Sequence, residues 1–138
     1  MIGVMSPDEI DAALARNNLG RIACSAHDRP YVVPISYVYD GEFIYAYGTA
    51  GRKIEAMREQ PHVCFEVDDI ASANTWWSVV SEGAYEELID ESGRSEALRL
   101  LGLDQPNLDS RVVSPVWGVV LFRIRLIQKS GRFELRAA

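Results

Sequence analysis

From Leu19 onward the apolar residues of this chain recur at every second position, and short turn signals cut the pattern into segments. That period of two requires a half-buried strand. Leu19 to Ala26 places Ile22, Cys24 and Ala26 on one face. His27-Asp28-Arg29-Pro30 reads as a turn. Tyr31 to Tyr39 then alternates Tyr31, Val33, Ile35, Tyr37 and Tyr39 against Val32, Pro34, Ser36 and Val38. Pro34 has no N–H for a ladder, so it marks an edge, a bulge or a place where backbone faces a ligand. Asp40-Gly41 is a strong hairpin signal, and Glu42 to Tyr47 is the third strand.

Before this run the period is helical. Ser6-Pro7-Asp8-Glu9 combines a capping serine, a proline suited to the first turn and a glutamate three residues on. The helix extends to about Asn17, with Ile10, Ala13 and Leu14 inward. After the third strand, Gly48 to Gly51 is a loop and Arg52 to Glu59 a short helix burying Ile54 and Met57. His62 to Val67 is a fourth strand, Asp68 to Thr75 a loop, and Trp76 to Ile89 a long strand bent near Gly83. Ser95 to Leu101 is helical, Gly102 to Pro115 a polar connector, and Val116 to Gln128 the last strand. Short hairpin connections predict an antiparallel sheet. Six such strands close most easily into a small β-barrel with short helices at its ends, a mainly β fold.

At 138 residues, the chain has the size of one domain, spanning 1–138. Its net charge of −6 argues against nucleic acid or an anionic membrane as a partner. No apolar run is long enough to span a bilayer, and the N-terminus has no basic-then-apolar leader; the expected location is the cytoplasm. Cys24, Cys64, His27 and His62 form no metal-ligand spacing. Both cysteines read as packed small apolar groups, and the histidines as surface or structural residues.

The chemically informative segment is Tyr47-Gly48-Thr49-Ala50-Gly51-Arg52-Lys53. Two glycines admit close backbone approach, and a helix begins where Arg52 and Lys53 stand. Cations at a helix N-terminus are unfavourable by about 0.3–1 kcal/mol each; a bound phosphate reverses that sign. The pattern fits either a monophosphate site or two solvated cations on a surface helix. Tyr37, Tyr39, Phe43, Tyr45 and Tyr47 on adjacent strands, with Trp76-Trp77 opening another, are core filler or the border of a flat heteroaromatic ligand. No paired-carboxylate or Ser/His/Asp constellation is visible.

The chain resembles the FMN-binding split-barrel family of pyridoxamine 5′-phosphate oxidase, and within it the 5-nitroimidazole-resistance proteins. The matching stretches are Leu19-Gly20-Arg21-Ile22-Ala23, Pro30 to Tyr37, Gly51-Arg52-Lys53-Ile54 with Met57-Arg58, and Pro61 to Asp68. Trp77-Ser78-Val79-Val80 with Gly83, Tyr85 to Leu88, and Ser130-Gly131-Arg132-Phe133 complete them. The resemblance implies a homodimer with FMN in clefts between the subunits, a small-molecule substrate and flavin-dependent redox chemistry. By position, Arg52 and Lys53 would hold the phosphate. Val33, Pro34, Ile35 and Ser36 would line the ring through backbone, Tyr47 and Thr49 would flank the ribityl phosphate, and Ser78 would reach the cofactor. Catalytic residues are not identified.

Two departures bear on activity. The resistance proteins often carry a histidine before the loop glycine, where this chain has Tyr47, and the chain lacks the oxidases' substrate-binding C-terminal pattern. Vitamin oxidation is therefore not expected. An oxidoreductase acting on a small electron acceptor such as a nitroheterocycle is the first expectation. A non-catalytic dimer or sensor carrying flavin, deazaflavin or haem is the alternative, with His27 or His62 as the axial candidate for haem.

Overall fold

A computed structural model describes residues 1–104 and 119–136. Eight strands and three helices follow one another as β1 (Ile2–Val4), α1 (Pro7–Arg16), β2 (Leu19–Ala26), β3 (Arg29–Ser36), β4 (Val38–Tyr39), β5 (Phe43–Thr49), α2 (Arg52–Glu59), β6 (His62–Ser72), β7 (Thr75–Glu87), α3 (Glu91–Leu100) and β8 (Val119–Glu134). The six long strands are the expected ones; β1 and β4 are short additions. All pairings are antiparallel, in the order β3-β2-β6-β7-β8-β5-β4, with β1 on β8.

The end strands of that order, β3 and β4, are consecutive in the chain and separated only by Tyr37. A sheet whose two ends are joined by one residue must curl back toward itself, which makes it barrel-like, although β3 and β4 do not pair with each other. Tyr37 is the joint: its N–H donates to the Asn18 carbonyl at 2.9 Å, and its hydroxyl donates to the Leu14 carbonyl at 2.7 Å. The alternation through 31–39 therefore does not mark one strand. The period survives the break because Tyr37 still points inward, where it packs edge-on to Phe65.

α1 starts as its sequence dictates. The Ser6 hydroxyl accepts from the Glu9 N–H, the Glu9 carboxylate accepts from the Ser6 N–H, and Ile10, Ala13 and Leu14 are buried. The inward faces of the strands form the core, with Ile22, Ile44, Phe65, Val67, Val79, Phe122 and Ile124 fully enclosed. A smaller cluster on the outer side of β5 and β8 holds Tyr45, Leu88 and Leu121 under Ala97 of α3.

Several boundaries differ from the pattern reading. The turn after β2 is only His27-Asp28, both with positive φ, so Arg29 and Pro30 already belong to β3. Residues 68–72 are strand, not loop: Asp68 pairs with Ser78 and Ile70 with Trp76, and Arg21 neutralises Asp68 from β2. α3 begins at Glu91 because Asp90 caps it through the Gly93 N–H. β8 runs on to Glu134 although Lys129-Ser130-Gly131-Arg132 looks like a loop. A Cβ at Gly131 would lie 2.7 Å from Met5 Sδ, so the glycine is where α1 seats on the sheet. The expected bend near Gly83 coincides with a register shift against β8. The expected start of the last strand at Val116, and most of the connector before it, lie outside the described residues.

Candidate functional site

β3 is an end strand, paired with β2 on one side only among the described residues. Pro34 has no N–H to lose there, and alternate backbone groups of Val33, Pro34, Ile35 and Ser36 face the unpaired side, the others being turned toward β2. Their side chains divide as the pleat requires. Ile35 is buried in the core and Val33 packs against it, while Pro34 and Ser36 face outward.

Gly48 closes β5 just before α2. A Cβ at Gly48 would stand 3.2 Å from Lys53 Nζ and 3.3 Å from its Cε, so the glycine leaves the slot in which the lysine lies. Lys53 is half-buried. Burial holds its ammonium below the ordinary lysine range, with the Cys24 thiol partly opposing that shift. Among the described residues no carboxylate lies within ion-pair distance of Lys53 or Arg52. Arg52 is exposed, its guanidinium 4.5 Å above the Tyr31 ring. α2 opens at Gly51 with no side-chain cap, leaving its first N–H groups unclaimed by side chains. The elements therefore converge two cations, free helix N–H groups and an edge strand, which fits a phosphate of a planar ligand. Cys24 is a packed thiol whose pKa burial raises, as expected.

The remaining sequence candidates do not all gather here. Alternation along β5 turns the side chains of Tyr47 and Thr49 to the face opposite Gly48 and Lys53, where both are exposed. Ser78 lies on the outer face of β7, in register with Asp68 and Arg132. It is three strands from β3, about 14 Å at about 4.8 Å per strand. The tyrosines mostly hold the fold together: Tyr37 bonds α1, Tyr39 donates to Asp11 at 2.8 Å, and Tyr45 packs under α3. Trp76 and Trp77 line a separate cavity of about 460 Å³ beneath α1, with Arg16 5.2 Å over Trp77. Sequence reasoning missed Tyr31 as the platform under Arg52.

Among the described residues no three His, Cys, Asp or Glu side chains form a metal cluster, and no helix is long and apolar enough to cross a membrane. His27 and His62 are both exposed.

The fold is a small antiparallel barrel in which Arg52 and Lys53 stand at the start of α2. Residues 6–132 match the family model described as pyridoxamine 5′-phosphate oxidase, and the chain belongs to that family. An FAD-binding protein from Mesorhizobium loti superposes with a TM-score of 0.81 at 35% identity, covering 98% of this chain and 99% of that one. A 5-nitroimidazole antibiotic resistance protein from Bacteroides thetaiotaomicron shares the fold, with a TM-score of 0.77 at 18% identity over 96% of this chain and 87% of that one. An uncharacterised protein from Rhizobium meliloti is 40% identical over 87 residues, which are 63% of this chain and 58% of the relative's length.

Proposed function

We propose that this protein is a flavin-dependent oxidoreductase that grips the ribityl phosphate of an FMN unit with Arg52 and Lys53. It passes electrons to a small electron-poor acceptor such as a nitroheterocycle. The observation that carries this reading is Lys53: a half-buried ammonium, seated in a glycine slot, with no carboxylate partner among the described residues. A dianionic phosphate would offset its desolvation. Membership of the family and the likeness to the Mesorhizobium protein support the flavin itself.

The flavin, when bound, supplies the hydride and electron chemistry. The chain's own residues hold and orient it. Arg52, held over Tyr31, and Lys53, lying beside Gly48, would bind the phosphate. The backbone groups of the 33–36 stretch that face away from β2 would border the ring. The protein acts as a homodimer on this reading. Leu19, Val32, Ile70 and Val80 stand 60%, 63%, 66% and 38% exposed on one outer face of the sheet, which suits burial against a second copy. Ser78 shares that face, so it would reach the flavin of the partner copy rather than its own.

Titration of the purified protein with FMN, followed by flavin fluorescence, tests the site; quenching is expected, and Lys53→Ala should shift it to about tenfold higher FMN or beyond. Turnover of a nicotinamide cofactor with an added nitroheterocycle then tests the activity. Binding without turnover would replace the enzyme reading with a flavin-carrying sensor. Failure of both FMN and FAD to bind would refute the flavin site.

A further inference from the structure

We propose that the cavity beneath α1 is a second ligand site, separate from the flavin cradle, and that it takes a planar aromatic carboxylic acid carrying a ring N–H or O–H donor. The cavity holds about 460 Å³, within the about 300–1,000 Å³ usual for small-molecule sites. It shares no residue with the 33–36 stretch or with Arg52 and Lys53, so it stands or falls apart from the flavin reading.

The sequence leaves this space open. Glu9, Ala12 and Arg16 are spaced i, i+3 and i+7, which sets them along one side of α1. Ala12 on the helix and Ala71 on β6 both line the cavity, and neither is large enough to fill it. Trp76, Trp77 and Phe133 are therefore only partly buried and form its aromatic wall. That wall is fixed before a ligand arrives. The Trp76 indole N–H donates to the Glu134 carboxylate at 3.0 Å, and Trp77 is tied into the β6–β7 ladder opposite Asp69. Flat rings held in place suit the stacking of another flat ring.

The charges select the ligand. The Arg16 guanidinium lies 5.2 Å from the centre of the Trp77 ring. It forms no ion pair among the described residues, although Glu9 and Asp69 line the same cavity. Arg16 is thus placed by the ring, and its N–H donors fit a carboxylate. Glu9 is engaged elsewhere, accepting from the Ser6 N–H at 3.0 Å. Asp69 has no ion-pair partner among the described residues, and as the register partner of Trp77 it stands beside that ring on the same face. A plain aryl acid would be repelled by Asp69. A ring N–H or O–H turned toward it converts the repulsion into a charge-assisted hydrogen bond. An organic cation would meet Arg16 and is disfavoured.

Isothermal titration calorimetry of the full-length protein with indole-3-acetate tests the site. Saturable binding with a Kd below about 1 mM is expected, and tryptamine, with an ammonium in place of the carboxylate, should bind at least about tenfold more weakly. Arg16→Gln should weaken indole-3-acetate about tenfold while leaving indole itself unchanged. Ala12→Leu, on the exposed side of α1, should fill the cavity and remove the binding of both. 1-Methylindole-3-acetate, which lacks the ring N–H, should bind more weakly than indole-3-acetate, and Asp69→Ala should erase that difference. Absence of saturable binding, tryptamine binding as tightly as indole-3-acetate, or Arg16→Gln without effect overturns the proposal. Displacement of indole-3-acetate by FMN overturns the separateness of the site. Indole-3-acetate binding that persists in Lys53→Ala supports it, whether or not the parent protein binds a flavin.

Discussion

The two faces of the barrel wall are built from the same strands and treat apolar residues in opposite ways. On the inner face Ile22, Phe65, Val67 and Val79 are fully enclosed, and burial explains their presence. On the outer face Leu19, Val32, Ile70 and Val80 stand in water, and folding of one chain explains none of them. Among these apolar groups lies a charge cluster in which Arg21 reaches Glu66 and Asp68, each at 3.2 Å. The inner face is thus complete in one copy, whereas the outer face leaves four apolar side chains around a charge cluster uncovered, as the proposed dimer would require. Ile22→Ala breaks the inner side: it should cost about 2–5 kcal/mol, a drop in Tm beyond about 8 °C, measured by thermal denaturation.

The outer side should respond without that loss. Leu19→Asp combined with Val80→Glu leaves the Tm of the monomeric fold within about 2 °C, because exposed substitutions cost little. The mass measured by light scattering should nevertheless fall from dimer to monomer. A parent protein that is already monomeric would show that the outer face does not assemble.

The cleft gives a third, intermediate effect. Lys53→Met removes the half-buried ammonium, and flavin affinity should fall about tenfold or more. The pH dependence carries the sign of its shift. Because burial lowers the Lys53 pKa in the free protein, phosphate binding should weaken as pH rises through that lowered value, below the usual 10.5. In Lys53→Met this alkaline limb should vanish from the titration.

These regions were unequally legible in the sequence. The inner face was readable from Ile22, Cys24 and Ala26 because a strand's period is enforced by burial. Arg52 and Lys53 stood out as candidates because a cation at a helix start conflicts with the dipole. The split at Tyr37 was not, since both halves keep the same alternation and the break depends on hydrogen bonds to Asn18 and Leu14, which are distant from the pattern. The start of β3 at Arg29 was hidden for a related reason: a two-residue turn of His27 and Asp28, neither of them glycine, gives no signal that the next residue is already strand. Which strands end the sheet is a property of pairing that no local segment states.

The charge cluster offers the smallest and most diagnostic test of the outer face. Glu66 is pushed up to about 7, chiefly by burial and then by its Asp68 neighbour, with Arg21 only partly opposing. Between the ordinary carboxylate value of 4.5 and about 7, the folded chain holds a proton that the unfolded chain has lost. Stability therefore declines as pH rises through that window and stays lower above it. Glu66→Gln removes the charge and keeps an acceptor for Arg21, so the decline should disappear. The gain above pH 7 is about 1 kcal/mol after discounting for solvent screening, or about 4 °C in Tm, with little difference near pH 4.5. In a dimer built on this face the cluster would be further desolvated, and the gain should grow with protein concentration. In the Leu19→Asp, Val80→Glu background the gain should lose that concentration dependence, which separates a property of the single sheet from a property of the assembly.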